Sequence, residues 1–573
     1  MTNSKRSPNA TAFETGLITQ GRDSLVGRLT DRRKLNGQVY TPLPLAIHML
    51  QLVAWPAGDG VLLDPACGDG VFLEAAVRKV LAQYGATPRA AKFVRTRLLG
   101  WELDAEAANA CRKRLGTLLT EAGLAHTDAP QVRVDNALLA REPARLACVV
   151  GNPPYLEAKR MPDSLKELIR QTCPLAAHGS FDLYAAFVER AVKMTSDAGG
   201  EVCLLIPNRF LVVRYAQALR ERILAERDVC VLDFSQQRRV FGNAAVYPVV
   251  LHARTPPEHA TPGYRAELAR HGLEPGNERP HGDEEQSNPA AQRDESNRNA
   301  PASPRGATLS PALLAERLGS IMPVVPEHPG GRDLLVRLLA DPPPGVVELK
   351  QRVSVRWCVS FHRAKLRERF VADEPHSSWQ NPQPFLGGGR FHGNGEVQPF
   401  RIDWAGYWID YDEERARRER NRLPSVELFA RPKLVVCQNA RRMRAALDRT
   451  GIILKDTFLA LLPHNARPSR GELEWLCMVL NSRVLHYVYE HLYAGTRKQG
   501  GYLHYLARYL EPLPIPPMPE PPERVVARHR RLVQGTAPPA DCEPLVERAY
   551  GLRPHEAEAI AAHVIPEHAS DRA

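Results

Sequence analysis

A strand that breaks into a glycine turn and leads straight into a helix is the strongest constraint on the fold of this chain. Residues 61–63 are apolar, residues 64–70 read Asp-Pro-Ala-Cys-Gly-Asp-Gly, and a helical pattern begins at Val71. Glycine lets the backbone approach a ligand closely. The sequence therefore predicts a ligand-binding turn at the carboxyl end of a buried strand.

Strand-like and helix-like segments alternate through the first half of the chain. Helical patterns cover residues 105–119 and 182–195, and strand patterns lie near Gly60, Leu98, Gln131, Leu146, Glu201, Val229 and Val246. This alternation predicts an α/β domain with a mixed, mainly parallel, seven-stranded sheet and helices on both faces.

The glycine turn lacks two common nucleotide-binding patterns. A dinucleotide fingerprint needs G-x-G-x-x-G and an acidic residue about 20 residues later. A phosphate-binding Walker loop needs Lys followed by Ser or Thr. Neither pattern occurs at residues 64–70, so the turn alone leaves the ligand open.

The tetrad Asn152-Pro153-Pro154-Tyr155 follows a second buried-strand pattern, residues 146–151. Two prolines stiffen the backbone and remove two N–H donors, which leaves the Asn152 side-chain oxygen and the Pro153 carbonyl as two acceptors. Two acceptors suit an aromatic NH₂ group and would expose its lone pair for attack on a methyl sulfonium. Tyr155 offers a flat face for a base.

Glu102 and Asp135 each end a β-like run. A carboxylate accepts hydrogen bonds only, so it can hold a diol or an exocyclic amine. Either acid alone would more often be a solvated loop residue, and only its position relative to the turn and the tetrad favours a binding role.

In this combination of motifs the chain resembles the S-adenosylmethionine-dependent DNA adenine-N6 methyltransferases, and in particular the TaqI/Eco57I-like (gamma-class) modification methylases. The resemblance covers residues 37–251 well and extends loosely to about residue 516. It implies a Rossmann-like class I methyltransferase domain followed by an α+β DNA target-recognition domain.

The resemblance also implies roles for individual residues. Asn152, Pro153, Pro154 and Tyr155 match the catalytic tetrad, and Phe241 matches the aromatic that stacks, with Tyr155, on the flipped base. Glu102 matches the carboxylate for the ribose hydroxyls, and Asp135 matches the group for the cofactor's adenine amine. The remaining cofactor positions are Tyr40, Thr41, Pro42, Asp64, Ala66, Cys67, Gly68, Gly70 and Asn152, whereas Asp69 stands where the family more often has a small residue.

Composition favours a polyanionic partner. The net charge is +11 among 573 residues, and the isoelectric point is near 9.2, which indicates nucleic acid or acidic lipid. No run of 18 apolar residues suits a membrane span. Ten cysteines without C-x-x-C pairs or zinc spacing predict reduced, buried thiols and no metal site.

We predict five segments: an extension at 1–36, the catalytic domain at 37–254, a disordered linker or insertion at 255–309, the recognition domain at 310–517 and a helical appendage at 518–573. The linker is rich in Pro, Asn, Glu, Arg, Ser and Gly, too polar to form a core. The recognition domain carries a predicted strand at 431–436, a helix at 476–489 and the candidate DNA contacts Arg441, Arg442, Arg444, Arg497 and Lys498.

The predicted partner is double-stranded DNA, and the predicted protein is a cytoplasmic, prokaryotic monomer of a restriction system. A restriction endonuclease is expected to be a separate protein, because 36 residues before Gly37 are too few for a nuclease domain. Three alternatives stay open: a cytosine-N4 methyltransferase, a protein glutamine methyltransferase, and a DNA-binding specificity subunit with a degenerate catalytic half.

Overall fold

A computed structural model describes residues 41–196, 199–234, 247–257, 259–268, 309–361, 364–387, 396–465 and 467–563. The chain divides into two compact units, Met1–Pro304 and Arg305–Ala573. Among the described helices, none combines the length and the apolar character that a membrane span requires.

The first unit alternates strands and helices. Its helices are α1 Leu43–Leu52, α2 Val71–Tyr84, α3 Pro88–Arg97, α4 Ala105–Glu121, α5 Asp163–Thr172, α6 Leu183–Ser196 and α7 Gln217–Glu226. Its strands are β1 Val61–Asp64, β2 Leu98–Glu102, β3 Gln131–Val134, β4 Leu146–Gly151, β5 Glu201–Pro207, β6 Asp228–Asp233, β7 Pro248–Arg254 and β8 Tyr264–Leu268.

The eight described strands form one mixed sheet in the order β3-β2-β1-β4-β5-β7-β6-β8. The five strands β3, β2, β1, β4 and β5 run parallel to one another, and β7 runs antiparallel to both β5 and β6. The order reverses between β1 and β4. In open α/β sheets ligands bind outside the carboxyl ends of the strands at such a reversal, so the topology itself places the site there.

Apolar runs explain why these segments become central strands. The residues of β4 and β5 are nearly all buried, as expected for parallel strands covered on both faces. Helices α1 to α4 share one apolar core with sheet residues such as Leu62, Cys148 and Cys203. All ten cysteines are buried, and none of them forms a disulfide.

The predicted α/β fold is confirmed, with one difference in strand number. The eighth strand, β8, pairs in parallel with β6 and lies inside the segment that we predicted to be a linker from residue 255. Tyr264 is almost fully buried there, so local polarity concealed an apolar strand residue. Residues 269–308 of the predicted linker lie outside the described part of the chain.

The second unit combines helices with short, mainly antiparallel sheets, which fits the predicted α+β class. Its helices are α8 Pro311–Leu318, α9 Pro329–Ala340, α10 Ala364–Arg367, α11 Glu413–Arg418, α12 Glu427–Ala430, α13 Glu472–Asn481, α14 Arg483–Leu492, α15 Ala507–Leu510, α16 Pro522–Val533, α17 Glu543–Ala549 and α18 Pro554–Ala562. Its strands are β9 Val347–Glu348, β10 Val353–Trp357, β11 Val371–Ala372, β12 Pro382–Leu386, β13 Val397–Gln398, β14 Arg401–Ile402, β15 Trp408–Asp410, β16 Lys433–Cys437, β17 Asn439–Ala440, β18 Ala445–Asp448, β19 Ile453–Leu454, β20 Phe458–Pro463, β21 Leu503–His504 and β22 Pro514–Ile515.

Two features of this unit differ from the sequence patterns. The predicted helix at 476–489 is two helices, α13 and α14, because Ser482 leaves the helical conformation and its hydroxyl caps α14 through Leu485 N at 3.2 Å. The predicted C-terminal appendage packs into the unit: α18 lies on α9, and Glu556 pairs with Arg337 at 2.6 Å.

Candidate cofactor and target-base site

The carboxyl ends of four adjacent parallel strands bring four predicted site residues to one edge of the sheet. In sheet order β3-β2-β1-β4 these ends carry Asp135, Glu102, Asp64 and Asn152. The Asp64 side chain lies against the backbone of Gly151, the last residue of β4. A Cβ atom added to Gly151 would lie only 2.6 Å from Asp64 Oδ1. The structure therefore joins the glycine turn and the tetrad in one site.

Asp64 is a buried carboxyl group with an unsatisfied oxygen. It is 0% exposed, its Oδ1 accepts from Ala66 N at 3.1 Å, and its Oδ2 has no hydrogen-bond partner. Burial, opposed by the Ala66 hydrogen bond and assisted by the nearby Glu102 charge, raises the pKa of Asp64 to about 8. A buried polar atom without a partner is costly, so Oδ2 is available to a ligand group.

The glycine turn owes its shape to two left-handed residues. Gly68 has a φ of 52° and Gly70, the N-cap of α2, has a φ of 95°, a conformation that L side chains rarely adopt. Cys67 N donates to Trp101 O at 2.9 Å, and Gly70 N donates to Cys67 O at 2.8 Å. A Cβ at Gly68 would meet nothing within 4 Å, which leaves open space for a ligand beside the turn.

Glu102 ties the second strand end to the turn. Its Oε2 accepts from Gly68 N at 2.9 Å, and its Oε1 accepts from Asp104 N at 2.9 Å. Burial raises the pKa of Glu102, against the effect of these backbone hydrogen bonds. Each carboxylate oxygen keeps a second lone pair for a ligand hydroxyl.

Asp135 lies one strand further out. Its backbone N donates to Glu102 O at 3.0 Å, and its Oδ1 accepts from the next backbone amide, Asn136 N, at 2.8 Å. The neighbouring Val134 and Leu139 are 42% and 51% exposed. An acceptor beside exposed apolar side chains suits the edge and the face of a purine.

Asp69, the residue that departs from the family pattern, uses its carboxylate in an ion pair within the protein. Its Oδ2 pairs with Arg114 Nη1 of α4 at 2.8 Å, and the same guanidinium pairs with Glu74 of α2 at 2.5 Å. Asp69 therefore links the turn to two helices.

The tetrad directly follows β4, and both the nitrogen and the oxygen of the Asn152 side-chain amide form hydrogen bonds. Asn152 Nδ2 donates to Thr41 Oγ1 at 3.2 Å, and Asn152 Oδ1 accepts from the Tyr155 hydroxyl at 2.9 Å. The hydroxyl also lies 3.2 Å from Leu205 O. Pro153 is buried and Pro154 is exposed, whereas Asn152 and Tyr155 are half-buried, so the amide and the ring border on solvent.

Asp182 holds the loop after the tetrad, and the sequence patterns did not single it out. Its Oδ1 accepts from Leu156 N at 2.8 Å, while Leu183 N donates to Leu156 O at 3.0 Å and Ala158 N donates to Phe181 O at 2.8 Å. Burial raises the pKa of this carboxyl group. The only available sequence signal was its position just before α6, which also suits a simple helix cap.

Two predicted site residues, Tyr40 and Phe241, lie outside the described residues. Of the segment before the cofactor turn, Thr41 is 9% exposed and Pro42 stands at the N-cap of α1. The structure therefore places Thr41 at the tetrad through its hydroxyl.

Three of the five predicted DNA contacts are buried or paired with internal carboxylates in this structure. Arg444 is only 4% exposed. Arg442 pairs with Glu543 at 3.0 Å and donates to Asn481 O at 2.5 Å. Arg497 pairs with the buried Glu490 at 2.5 Å.

The other two predicted contacts stay nearer the surface. Arg441 is half-buried, donates to Gly500 O at 3.1 Å and lies 5.3 Å from the Tyr502 ring. Lys498 is exposed and donates to Asn439 Oδ1 at 2.9 Å.

The donor set fits S-adenosylmethionine. An unsatisfied buried carboxyl oxygen at Asp64, an open glycine turn at Gly68, and a second carboxyl group at Glu102 face one strand edge. Carboxyl oxygens suit the amine and hydroxyl groups of this cofactor, and exposed Val134 suits its purine.

Comparison with known proteins agrees with this geometry. Residues 96–241 match the family model of the Eco57I restriction-modification methylase, and residues 391–515 match the TaqI-like C-terminal specificity domain. The solved structure of the Type IIL restriction-modification enzyme MmeI in complex with DNA is 12% identical, with a TM-score of 0.54, and covers 91% of this chain and 74% of that chain. At this identity the likeness shows the fold alone.

Two curated relatives match part of the chain. The Type II methyltransferase M.BstVI of Geobacillus stearothermophilus is 28% identical over 39% of this chain and 42% of its own length. The Type II methyltransferase M.TthHB8I of Thermus thermophilus is 28% identical over 38% of this chain and 45% of its own length. The matches thus span less than half of each relative.

The methylase match and the donor set together confirm S-adenosylmethionine as the predicted cofactor. The chain carries an Eco57I-type methylase region followed by a TaqI-like specificity domain, which confirms the predicted resemblance to the TaqI/Eco57I-like modification methylases.

Proposed function

We propose that this protein is a site-specific DNA methyltransferase that transfers a methyl group to N6 of an adenine flipped out of duplex DNA. The observation that carries the proposal is the position of Asn152. Its amide lies at the end of β4, next to the strand whose carboxyl end begins the cofactor turn. The names of the relatives, Type II methyltransferases, support the same reaction class.

The tetrad supplies acceptors for the target amine. Asn152 Oδ1 accepts from the Tyr155 hydroxyl, and a carbonyl oxygen can accept more than one hydrogen bond. Asn152 Oδ1 and the Pro153 carbonyl are the proposed acceptors for the two amine protons. These hydrogen bonds draw the amine nitrogen towards tetrahedral geometry and expose its lone pair.

When bound, S-adenosylmethionine would supply an electrophilic methyl group, and transfer of that group to the amine would release a neutral thioether and, from the amine, one proton to water. The protein contributes positioning and desolvation. Asp64, Glu102 and Asp135 are the proposed cofactor ligands, and Tyr155 with Phe241 are the proposed stacking residues for the base.

The second unit is the proposed target-recognition domain. Its match to a specificity domain and the net charge of +11 of the whole chain support DNA binding. Flipping a base costs a few kcal/mol, and stacking on aromatic side chains at about 1–3 kcal/mol each can offset that cost.

Methylation of genomic DNA in cells that express the chain tests this proposal. Mass spectrometry of nucleosides from this DNA should show N6-methyladenine, and methylation-sensitive sequencing should place it at one short motif. N4-methylcytosine instead would overturn the adenine assignment, and the absence of both bases would overturn the proposed reaction.

The variant Asn152→Ala should abolish methyl transfer and leave equilibrium binding of cofactor and DNA nearly unchanged, because only an acceptor at the reacting amine is lost. Asn109→Ala, an exposed asparagine on α4, is the matched control and should keep full activity. Turnover of Asn152→Ala within about tenfold of wild type, about 1.4 kcal/mol of barrier, would overturn the role of the tetrad.

A further inference from the structure

The hydroxyl groups of Thr41 and Tyr155 form hydrogen bonds with the Asn152 side-chain amide. Thr41 lies 111 residues before Asn152, and its Oγ1 accepts from Asn152 Nδ2 at 3.2 Å. The Tyr155 hydroxyl donates to Asn152 Oδ1 at 2.9 Å. The resemblance assigned Thr41 to the cofactor and Tyr155 to base stacking, so neither hydroxyl had a role at the amide.

The surroundings of Tyr155 keep its hydroxyl in this position. The ring packs edge-on against Tyr184 with centroids 5.9 Å apart, and Tyr184 shares a hydrogen bond of 2.8 Å with the Tyr215 hydroxyl. Leu205 O of β5 lies 3.2 Å from the Tyr155 hydroxyl. Burial raises the pKa of Tyr155, so the hydroxyl stays protonated and remains a donor.

Thr41 is held equally firmly. It is 9% exposed and immediately precedes Pro42, whose carbonyl accepts from Leu45 N at 3.0 Å and from Ala46 N at 3.2 Å at the start of α1. Helix α1 in turn packs into the core of the first unit through Leu45, Ala46 and Met49. The acceptor for Asn152 Nδ2 is therefore attached to a rigid element.

We propose that the hydroxyls of Thr41 and Tyr155 are positioning groups that fix the plane of the Asn152 amide and thereby the direction in which Oδ1 faces the target amine. This inference rests on the proposed methyl transfer. An amide free to rotate about its terminal torsion would present its oxygen in the productive direction only part of the time. A misplacement of about 1 Å can cost roughly a hundredfold in rate.

Single hydroxyl deletions test the inference. Thr41→Val and Tyr155→Phe keep the size of each side chain and remove only the hydrogen-bonding group. Each should lower kcat roughly tenfold to a hundredfold, with little change in KM for DNA. Thr41→Ser restores a hydroxyl at the same place and should recover most of kcat.

Two further readouts separate positioning from other roles. Tyr155→Phe keeps an aromatic face, so 2-aminopurine at the target position should still become fluorescent on binding. Calorimetry should give Thr41→Val the cofactor affinity of wild type. Weakened cofactor binding by Thr41→Val at unchanged kcat would overturn the inference and make Thr41 a cofactor contact only.

Different results would overturn the positioning role of the two hydroxyls and the proposed methyl transfer. Wild-type enzyme that methylates DNA, together with both variants at kcat within twofold of wild type, would overturn the inference alone. Wild-type enzyme that methylates no DNA would overturn the proposed function and, with it, the inference. Loss of kcat that Thr41→Ser fails to recover would also overturn the assignment of Thr41.

Discussion

The buried carboxyl group of Asp64 should make the stability of this protein depend on pH in a way that one isosteric variant removes. Burial raises the pKa of Asp64 from 3.8 to about 8. Between these two values the folded state keeps the proton that the unfolded chain releases. The free energy of unfolding therefore falls as the pH rises through this window and levels off above about pH 8.

The size of the effect follows from the shift. One pH unit inside the window is worth about 1.36 kcal/mol, so wild type should lose about 2–3 kcal/mol between pH 6 and pH 8 through this group. Asp64→Asn keeps the size of the side chain and an oxygen for Ala66 N, but it does not titrate. Its stability relative to wild type should increase by the same amount over that interval, or roughly 5–10 °C in melting temperature for a unit of this size.

Denaturation of both proteins at several pH values between 6 and 9 measures this difference, because the other titrating groups are common to both. Asp59→Asn, which changes a carboxylate that is 74% exposed and pairs with Arg97, is the matched control and should differ from wild type by less than about 0.5 kcal/mol throughout. A difference between Asp64→Asn and wild type that stays constant with pH would refute the reasoning and show that Asp64 is ionised in the folded protein.

Two further predictions concern the turn and the recognition unit. Gly70→Ala forces a side chain into a φ of 95° and places its Cβ 2.5 Å from Cys111 Sγ. It should lower the free energy of unfolding by about 1–3 kcal/mol and weaken cofactor binding in calorimetry. Gly123→Ala, with a positive φ and no neighbour within 4 Å, measures the cost of the backbone conformation alone, and equal losses of stability in the two variants would contradict the clash with Cys111. Arg497→Ala leaves the buried Glu490 without its guanidinium and should lower stability by about 3–5 kcal/mol. The adjacent Lys498→Ala should change stability by less than about 0.5 kcal/mol and reduce the salt dependence of DNA binding by about one phosphate contact; the reverse pattern would exchange the roles of these two residues.

Sequence patterns anticipated most of the first unit because each pattern there is local. Seven of its strands begin within a few residues of the predicted positions, since central parallel strands are continuous apolar runs. Asp64, Glu102 and Asn152 each follow such a run. Parallel strands bring their carboxyl ends to one edge, so strand order alone was enough to gather these residues.

Neutralisation of a charge by a side chain elsewhere in the chain is not visible in a local sequence pattern. Arg442, Arg444 and Arg497 form basic runs that resemble a DNA-binding surface. Glu543 lies 101 residues from Arg442, and a basic run does not reveal which of its charges a remote carboxylate will take. The eighth strand was missed for a related reason, because a polar segment can bury two alternate residues, Tyr264 and Ala266, once β6 is beside it.

The sequence by itself determined the fold class of the first unit and the chemistry of the turn and the tetrad, because strand periodicity and residue type are local properties. The tertiary structure alone decided how the Asn152 amide is held. Its partners come from Thr41, 111 residues earlier, and from the Tyr155 hydroxyl, which also contacts Leu205 on the next strand. Hydrogen bonds between distant segments depend on how those segments pack, and spacing along the chain does not contain that information.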